Sequence, residues 1–99
     1  MVFAFTKHQH QRRLSKFIKM TITIKYFGRI ADITNKNEEE FISEDTSLST
    51  GSLINNLQLI YADLRNATYV LAVNETITKV DVQLKNNDII ALLPPFAGG

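Results

Sequence analysis

Ninety-nine residues, 44% of them hydrophobic, suffice for one small core and not two, and the absence of cysteine removes disulfides, thiolate metal sites and a cysteine nucleophile. Residues 1–19 carry Lys7, Arg12, Arg13, Lys16 and Lys19 with no acid, whereas residues 20–99 carry six basic and ten acidic side chains, a net −4. The domain is therefore acidic, which argues against a nucleic-acid surface, and no apolar run approaches the roughly 18 residues of a membrane span, so a soluble protein is expected.

Residues 1–19 are expected to be a disordered basic leader ahead of the domain. Phe3, Phe5, Phe17 and Ile18 are scattered among polar residues, without the continuous apolar stretch of a secretory signal. The arginines and the missing acids would also suit an organelle-targeting peptide. His8 and His10 have a metal-like spacing but no third ligand nearby, so no metal site is expected.

From Thr21 the pattern alternates. Ile22, Ile24 and Tyr26 fall on one face and Thr23, Lys25 and Phe27 on the other, which predicts the first strand. Gly28 interrupts it, and Ile30 and Ile33 at i, i+3 predict a single helical turn before the polar residues 34–37. Residues 38–42 predict a second strand joined to the first as a hairpin, with Glu38, Glu39 and Glu40 forming a solvated edge.

Residues 43–50 read as a polar loop in which Ser49 or Thr50 caps the next helix. Leu53, Leu57, Ile60 or Tyr61, and Leu64 recur at helical spacing and predict a stripe packed on one face of a sheet. Residues 69–73 predict a buried strand, followed by a turn at Asn74-Glu75 and a short extended piece through Ile77. Asn86-Asn87-Asp88 reads as a turn, because asparagine tolerates the left-handed conformation. Residues 89–93 form a continuous apolar strand suited to the inside of the sheet. The order predicts an α+β fold: a mixed sheet of four to five strands with one main helix on one face. The domain spans 20–93, and 94–99 is an extended tail.

That tail, Pro94-Pro95-Phe96-Ala97-Gly98-Gly99, is unusual. Two prolines favour a stiff, extended spacer, and two glycines without a Cβ pass through passages closed to other residues. Six extended residues reach about 19 Å, far enough to enter a partner. No Gly-rich phosphate loop is present, and both histidines lie in the leader, which leaves the terminal carboxylate as the candidate reactive group. A carboxylate is ionised at neutral pH and a poor acyl electrophile until activated.

Phe27-Gly28-Arg29-Ile30-Ala31-Asp32, Ile60-Tyr61-Ala62-Asp63-Leu64, Ala72-Val73-Asn74, Asn86-Asn87-Asp88 and the run from Leu92 to Gly99 resemble the small, sulfur-carrying subunits of molybdopterin synthases over about residues 20–99. The resemblance implies a ubiquitin-like β-grasp. It further implies that an ATP-using, ubiquitin-activating-like enzyme adenylates Gly99, so that nucleotide is met as an acyl-adenylate and no cofactor is held stably. A sulfur donor then forms the thiocarboxylate, which the large subunit receives in its active site and uses to build a dithiolene on cyclic pyranopterin monophosphate.

By the same resemblance Phe27, Arg29 and Leu93 belong to the docking face, Pro94 and Pro95 are the spacer, Phe96 is an anchor in the partner's channel, and Ala97 and Gly98 form the slim end. Core packing is the alternative for Phe27 and Leu93. Ala31 stands where family members often carry arginine, and Arg29 is the candidate substitute. A cytoplasmic assembly of two small and two large subunits is implied, with catalytic side chains on the large subunit. The competing readings are a thiamine-pathway sulfur carrier, a ubiquitin-like modifier, and an interaction module with an inert terminus.

Overall fold

Met20–Tyr26 forms β1, and the alternation of its sequence becomes alternation in depth: Met20, Ile22, Ile24 and Tyr26 are buried, while Thr21, Thr23 and Lys25 are half-buried. The computed structural model describes residues 19–95, so the expectations for the leader ahead of Lys19 and for Phe96, Ala97, Gly98 and Gly99 lie outside the described residues. After β1 the backbone turns at Gly28 into α1, Arg29–Thr34, which buries Ile30 and packs Ile33 against the core. Asn35 closes α1 in the left-handed conformation, and the Thr34 hydroxyl donates back to the Ile30 carbonyl at 3.2 Å. β2, Glu38–Ser43, then runs antiparallel to β1, with Glu39 opposite Ile24 and Phe41 opposite Ile22. The expected pairing is present, and α1 is the helical turn expected between the two strands.

Ser49 caps α2, Thr50–Ile60, its side chain accepting from the Ser52 amide at 3.2 Å. Thr50 has a different task. Its buried hydroxyl donates to the Asp81 carboxylate and accepts from the Val82 amide, both at 3.0 Å, fastening the helix start to the 79–85 segment. Leu53 and Leu57 are fully buried, and each contributes roughly 1.5–3 kcal/mol by leaving water.

The expected stripe then departs from a single helix. α2 ends at Ile60, which is 61% exposed, and the chain tightens into a 3-10 helix, Ala62–Asn66, that returns Leu64 to the core. Three residues per turn replace 3.6, so the apolar spacing is kept while the helix type changes.

β3, Val70–Val73, starts one residue later than expected, and of its four residues Ala72 alone is buried. Leu71 and Val73 are half-buried against the rim of the core, and Val70 is half-buried on the opposite face. Asn74 and Glu75, with φ of 50° and 72°, form the two-residue turn into β4, Thr76–Thr78, as primed hairpin turns require. Asn87, at φ 72°, supplies the left-handed residue expected before β5, Ile89–Leu93.

The strand order is β2-β1-β5-β3-β4, with β1 and β5 parallel and every other neighbouring pair antiparallel. β5 is thus the middle strand, as its apolar run predicts. Ile22, Ile24, Tyr26, Ile90 and Leu92 from the sheet meet Ile30, Leu53, Leu57 and Leu64 in one core. Leu48 and Leu84 join them from segments without a legible pattern, held by the Leu84 amide donating to the Leu48 carbonyl at 2.9 Å. One main helix packed on one face of a five-stranded mixed sheet is the ubiquitin-like β-grasp.

Candidate docking face and tail root

Helix α2 covers one face of the sheet and leaves the other open. Opposed residues in neighbouring strands share a face, so the pairs Lys25–Ala91, Ala91–Ala72, Leu93–Val70 and Ala72–Ile77 all belong to the open side. Phe27, Ile77 and Ile89 are each about two-fifths exposed there. They help line a shallow concavity of about 620 Å³ together with Ala91, Leu93 and Lys25.

Phe27 and Leu93 therefore stand outside the core and line one concavity. Arg29 is exposed at the start of α1 but does not line it. Ala31 is half-buried against the core. The sequence reading missed Lys25, Ile77 and Ile89. The signal was available: β5 is apolar at every position, although the helix covers only the face that holds Ile90 and Leu92. The residues between them need cover from elsewhere, or remain open.

The tail begins at the rim of this concavity. The Phe27 amide donates to the Leu92 carbonyl at 3.2 Å, carrying the β1–β5 pairing one step past Tyr26. Pro94 follows with no N–H to extend the ladder, so the strand ends there, and Pro94 and Pro95 are exposed. Pro94 rests on Gly28, where an added Cβ would lie 2.8 Å from the proline Cγ. Gly28 also has φ +56°, a region that side chains resist. Gly28→Ala is accordingly expected to cost about 1 kcal/mol or more and to displace Pro94. Thermal melting and amide chemical shifts around 92–95 check both parts.

Asn74 holds the other end of β5. Its Oδ1 accepts from the Ile89 amide and its Nδ2 donates to Asp88, each at 2.9 Å, while its own amide donates to the Ile89 carbonyl at 2.8 Å. The asparagine of the Ala-Val-Asn motif is thus a clamp between the hairpin turn and the middle strand, and it keeps the strand that leads to the tail in register.

Beneath the core face lies a polar cluster that corrects the reading of the acidic run. Glu38 and Glu40 are exposed at the sheet edge, as expected, but Glu39 has the parity of Phe41 and turns inward. Its Oε2 accepts from the hydroxyls of Tyr26 and Tyr61, the latter at 2.7 Å, and its Oε1 accepts from the Lys36 ammonium at 2.9 Å. The two rings meet edge to face at 6.2 Å. Burial tends to raise the Glu39 carboxyl pKa, but the hydrogen bonds from Tyr26, Lys36 and Tyr61 outweigh it and the net shift is downward. Burial, then the Glu39 hydrogen bond, raise the Tyr26 phenol. The cluster ties β1, β2 and the end of α2 together, on the side of the sheet away from Phe27.

The family described as ThiS family matches residues 24–99. A molybdopterin synthase sulfur carrier subunit from Mycobacterium tuberculosis is 28% identical over 80 residues, covering 79% of this chain and 96% of that protein. A solved structure of the complex of subunits 1 and 2 of the molybdopterin-converting factor from Helicobacter pylori contains a chain 28% identical at a TM-score of 0.55, covering 81% of this chain and all of that one. A Pyrococcus furiosus protein described as a candidate molybdopterin converting factor subunit 1 reaches a TM-score of 0.70 at 22% identity, covering 78% of this chain and 99% of its own. SAMP1 from Haloferax volcanii reaches 0.67 at 18%, covering 80% and 99%. At those identities the last two are likenesses of fold. The match over residues 24–99, from within β1 through the glycine tail, places the chain: it belongs to the ThiS family.

Proposed function

We propose that this chain is the sulfur-carrying small subunit of a molybdopterin synthase and that its reactive atom is the carbonyl carbon of Gly99. The observation that carries the reading is the placement of the tail root: Pro94 leaves the middle strand at the rim of an open apolar concavity that holds Phe27 and Leu93. A partner seated on that concavity receives the tail directly. The likeness to a molybdopterin synthase sulfur carrier, and to a chain of the solved complex of subunits 1 and 2 of a molybdopterin-converting factor, supports the same reading.

In this account an adenylating enzyme spends ATP to join AMP to the Gly99 carboxylate and releases pyrophosphate. A sulfur nucleophile then displaces AMP and leaves a thiocarboxylate. Activation is needed because the free carboxylate is ionised and resists nucleophiles. Phe27 and Leu93 seat the large subunit, with Arg29 beyond the concavity rim. Pro94 and Pro95 hold the tail extended, Phe96 anchors it in the partner's channel, and Ala97 and Gly98 keep the approach narrow. Two transfers to cyclic pyranopterin monophosphate build the dithiolene, in a cytoplasmic assembly of two small and two large subunits. The large subunit supplies the catalytic side chains, and this chain retains no cofactor.

Incubating the thiocarboxylated chain with purified large subunit and the pterin precursor tests the proposal. Dithiolene product is the expected result. A thiamine-pathway carrier or a modifier joined to lysines would dock elsewhere and give none, as would an interaction module with an inert terminus.

A further inference from the structure

Lys25 occupies an odd place. It lies on the open face of β1, half-buried, with Ala91 beside it in β5, and it lines the apolar concavity with Phe27, Ile89 and Leu93. Glu38 faces it across the β1–β2 pair without closing to salt-bridge distance. Among the described residues the one ion pair is Lys36–Glu39, and the Lys25 ammonium makes no side-chain hydrogen bond. In the free chain water solvates it. A partner that covers the concavity strips that water away, and a desolvated ammonium against an apolar wall is strongly unfavourable unless a carboxylate meets it.

We propose that Lys25 determines which partner this face accepts: an apolar surface that presents one carboxylate opposite the Lys25 ammonium. The inference rests on the docking reading above and names the chemistry that reading leaves open. Charged recognition sits on the strand, inside the concavity, whereas Arg29 stands outside it. A wholly apolar partner leaves the ammonium unpaired, and a basic one repels it, so a single side chain rejects both. Glu75 lines the concavity at the hairpin turn and gives the face a second charge of opposite sign. The face is therefore polarised, which fixes the orientation of the partner as well as its identity.

The test is calorimetric binding of the purified large synthase subunit to the full chain and its variants, with melting curves as the folding control. Lys25→Glu should weaken binding about thirtyfold or more, and Lys25→Arg should retain affinity within about threefold. Lys25→Leu should also weaken binding, because it leaves the partner's carboxylate without a cation. Leucine is compatible with the apolar surroundings, so this variant decides the matter if the charge reversal fails to fold. Unchanged or tighter binding by Lys25→Leu overturns the inference. Phe27→Ala separates the two levels: if it weakens binding while Lys25→Leu does not, only the role of Lys25 fails. If neither substitution changes affinity, the docking reading fails with it. Self-association of the free chain through this face, abolished by Lys25→Glu in sedimentation while large-subunit binding is unchanged, would also overturn the inference.

Discussion

Deleting Gly99 is expected to abolish dithiolene formation while leaving the melting temperature of the domain unchanged. On the proposed reading the carrier role resides in the Gly99 carbonyl carbon, and no side chain can take over that position. Removing one residue moves the terminal carboxylate to Gly98 and shortens the reach by about 3 Å. A misplacement of about 1 Å already costs about a hundredfold in rate, so three times that distance leaves no productive geometry in the partner's site. Pro94 still rests on Gly28, and the contacts of the middle strand are untouched, so stability should not change. Parallel assays of product formation and thermal melting check both halves, and full activity after the deletion would dismiss the carrier role.

Glu39→Ala is expected to give the largest loss of stability from a single change at a polar residue, about 2 kcal/mol. It removes the acceptor of two tyrosine hydroxyls, of which Tyr26 is only 2% exposed and is left with an unsatisfied donor. For a domain of this size that corresponds to a drop in Tm of roughly 10 °C. The pH dependence follows from the directions of the shifts. Because the folded-state pKa of Glu39 is lowered, its contribution is present above the ordinary glutamate value and is lost as acidification passes through the lowered one. The Tyr26 pKa is raised, so its contribution is present below the ordinary tyrosine value near 10 and is lost as pH rises above it. Wild-type stability should therefore fall below about pH 4 more steeply than that of Glu39→Gln. Denaturant titrations of both proteins between acidic and neutral pH measure this, and parallel acid profiles would contradict it.

The sequence made the framework legible wherever burial imposes a period. β1 is the clearest case, because alternate residues enter the core, and α2 follows from Leu53 and Leu57 at i, i+4. The turns at Asn74-Glu75 and Asn87 were legible because left-handed backbone has few tolerated residues. Leu48 and Leu84 were not, since each enters the core alone from an irregular segment, and a lone apolar residue has no period. Asp81 also escaped notice: it fastens the start of α2 from 30 residues away by accepting from the Gly51 amide at 2.8 Å. Long-range polar contacts of this kind leave no local trace.

The candidate docking face has a different origin in the sequence. Phe27 and Leu93 were chosen by resemblance, and the structure brings them to one concavity. Lys25 belongs to the same alternation that identified β1, but its significance depends on which strands lie beside it, and that is set by topology. Glu39 hid within a run of three acids. Its parity with Phe41 distinguishes it from Glu38 and Glu40 once the strand is paired with β1. Strand parity, read together with strand order, would have found both residues.

Intact-mass measurement of the chain after incubation with ATP, an adenylating enzyme of this pathway and a sulfur donor tests the carrier chemistry most directly. The account predicts that one oxygen of the Gly99 carboxylate is replaced by sulfur, and that this mass reverts when the large subunit and the pterin precursor are added. A terminal glycine that remains an unmodified carboxylate throughout, although the enzyme consumes ATP with an authentic carrier, would contradict it.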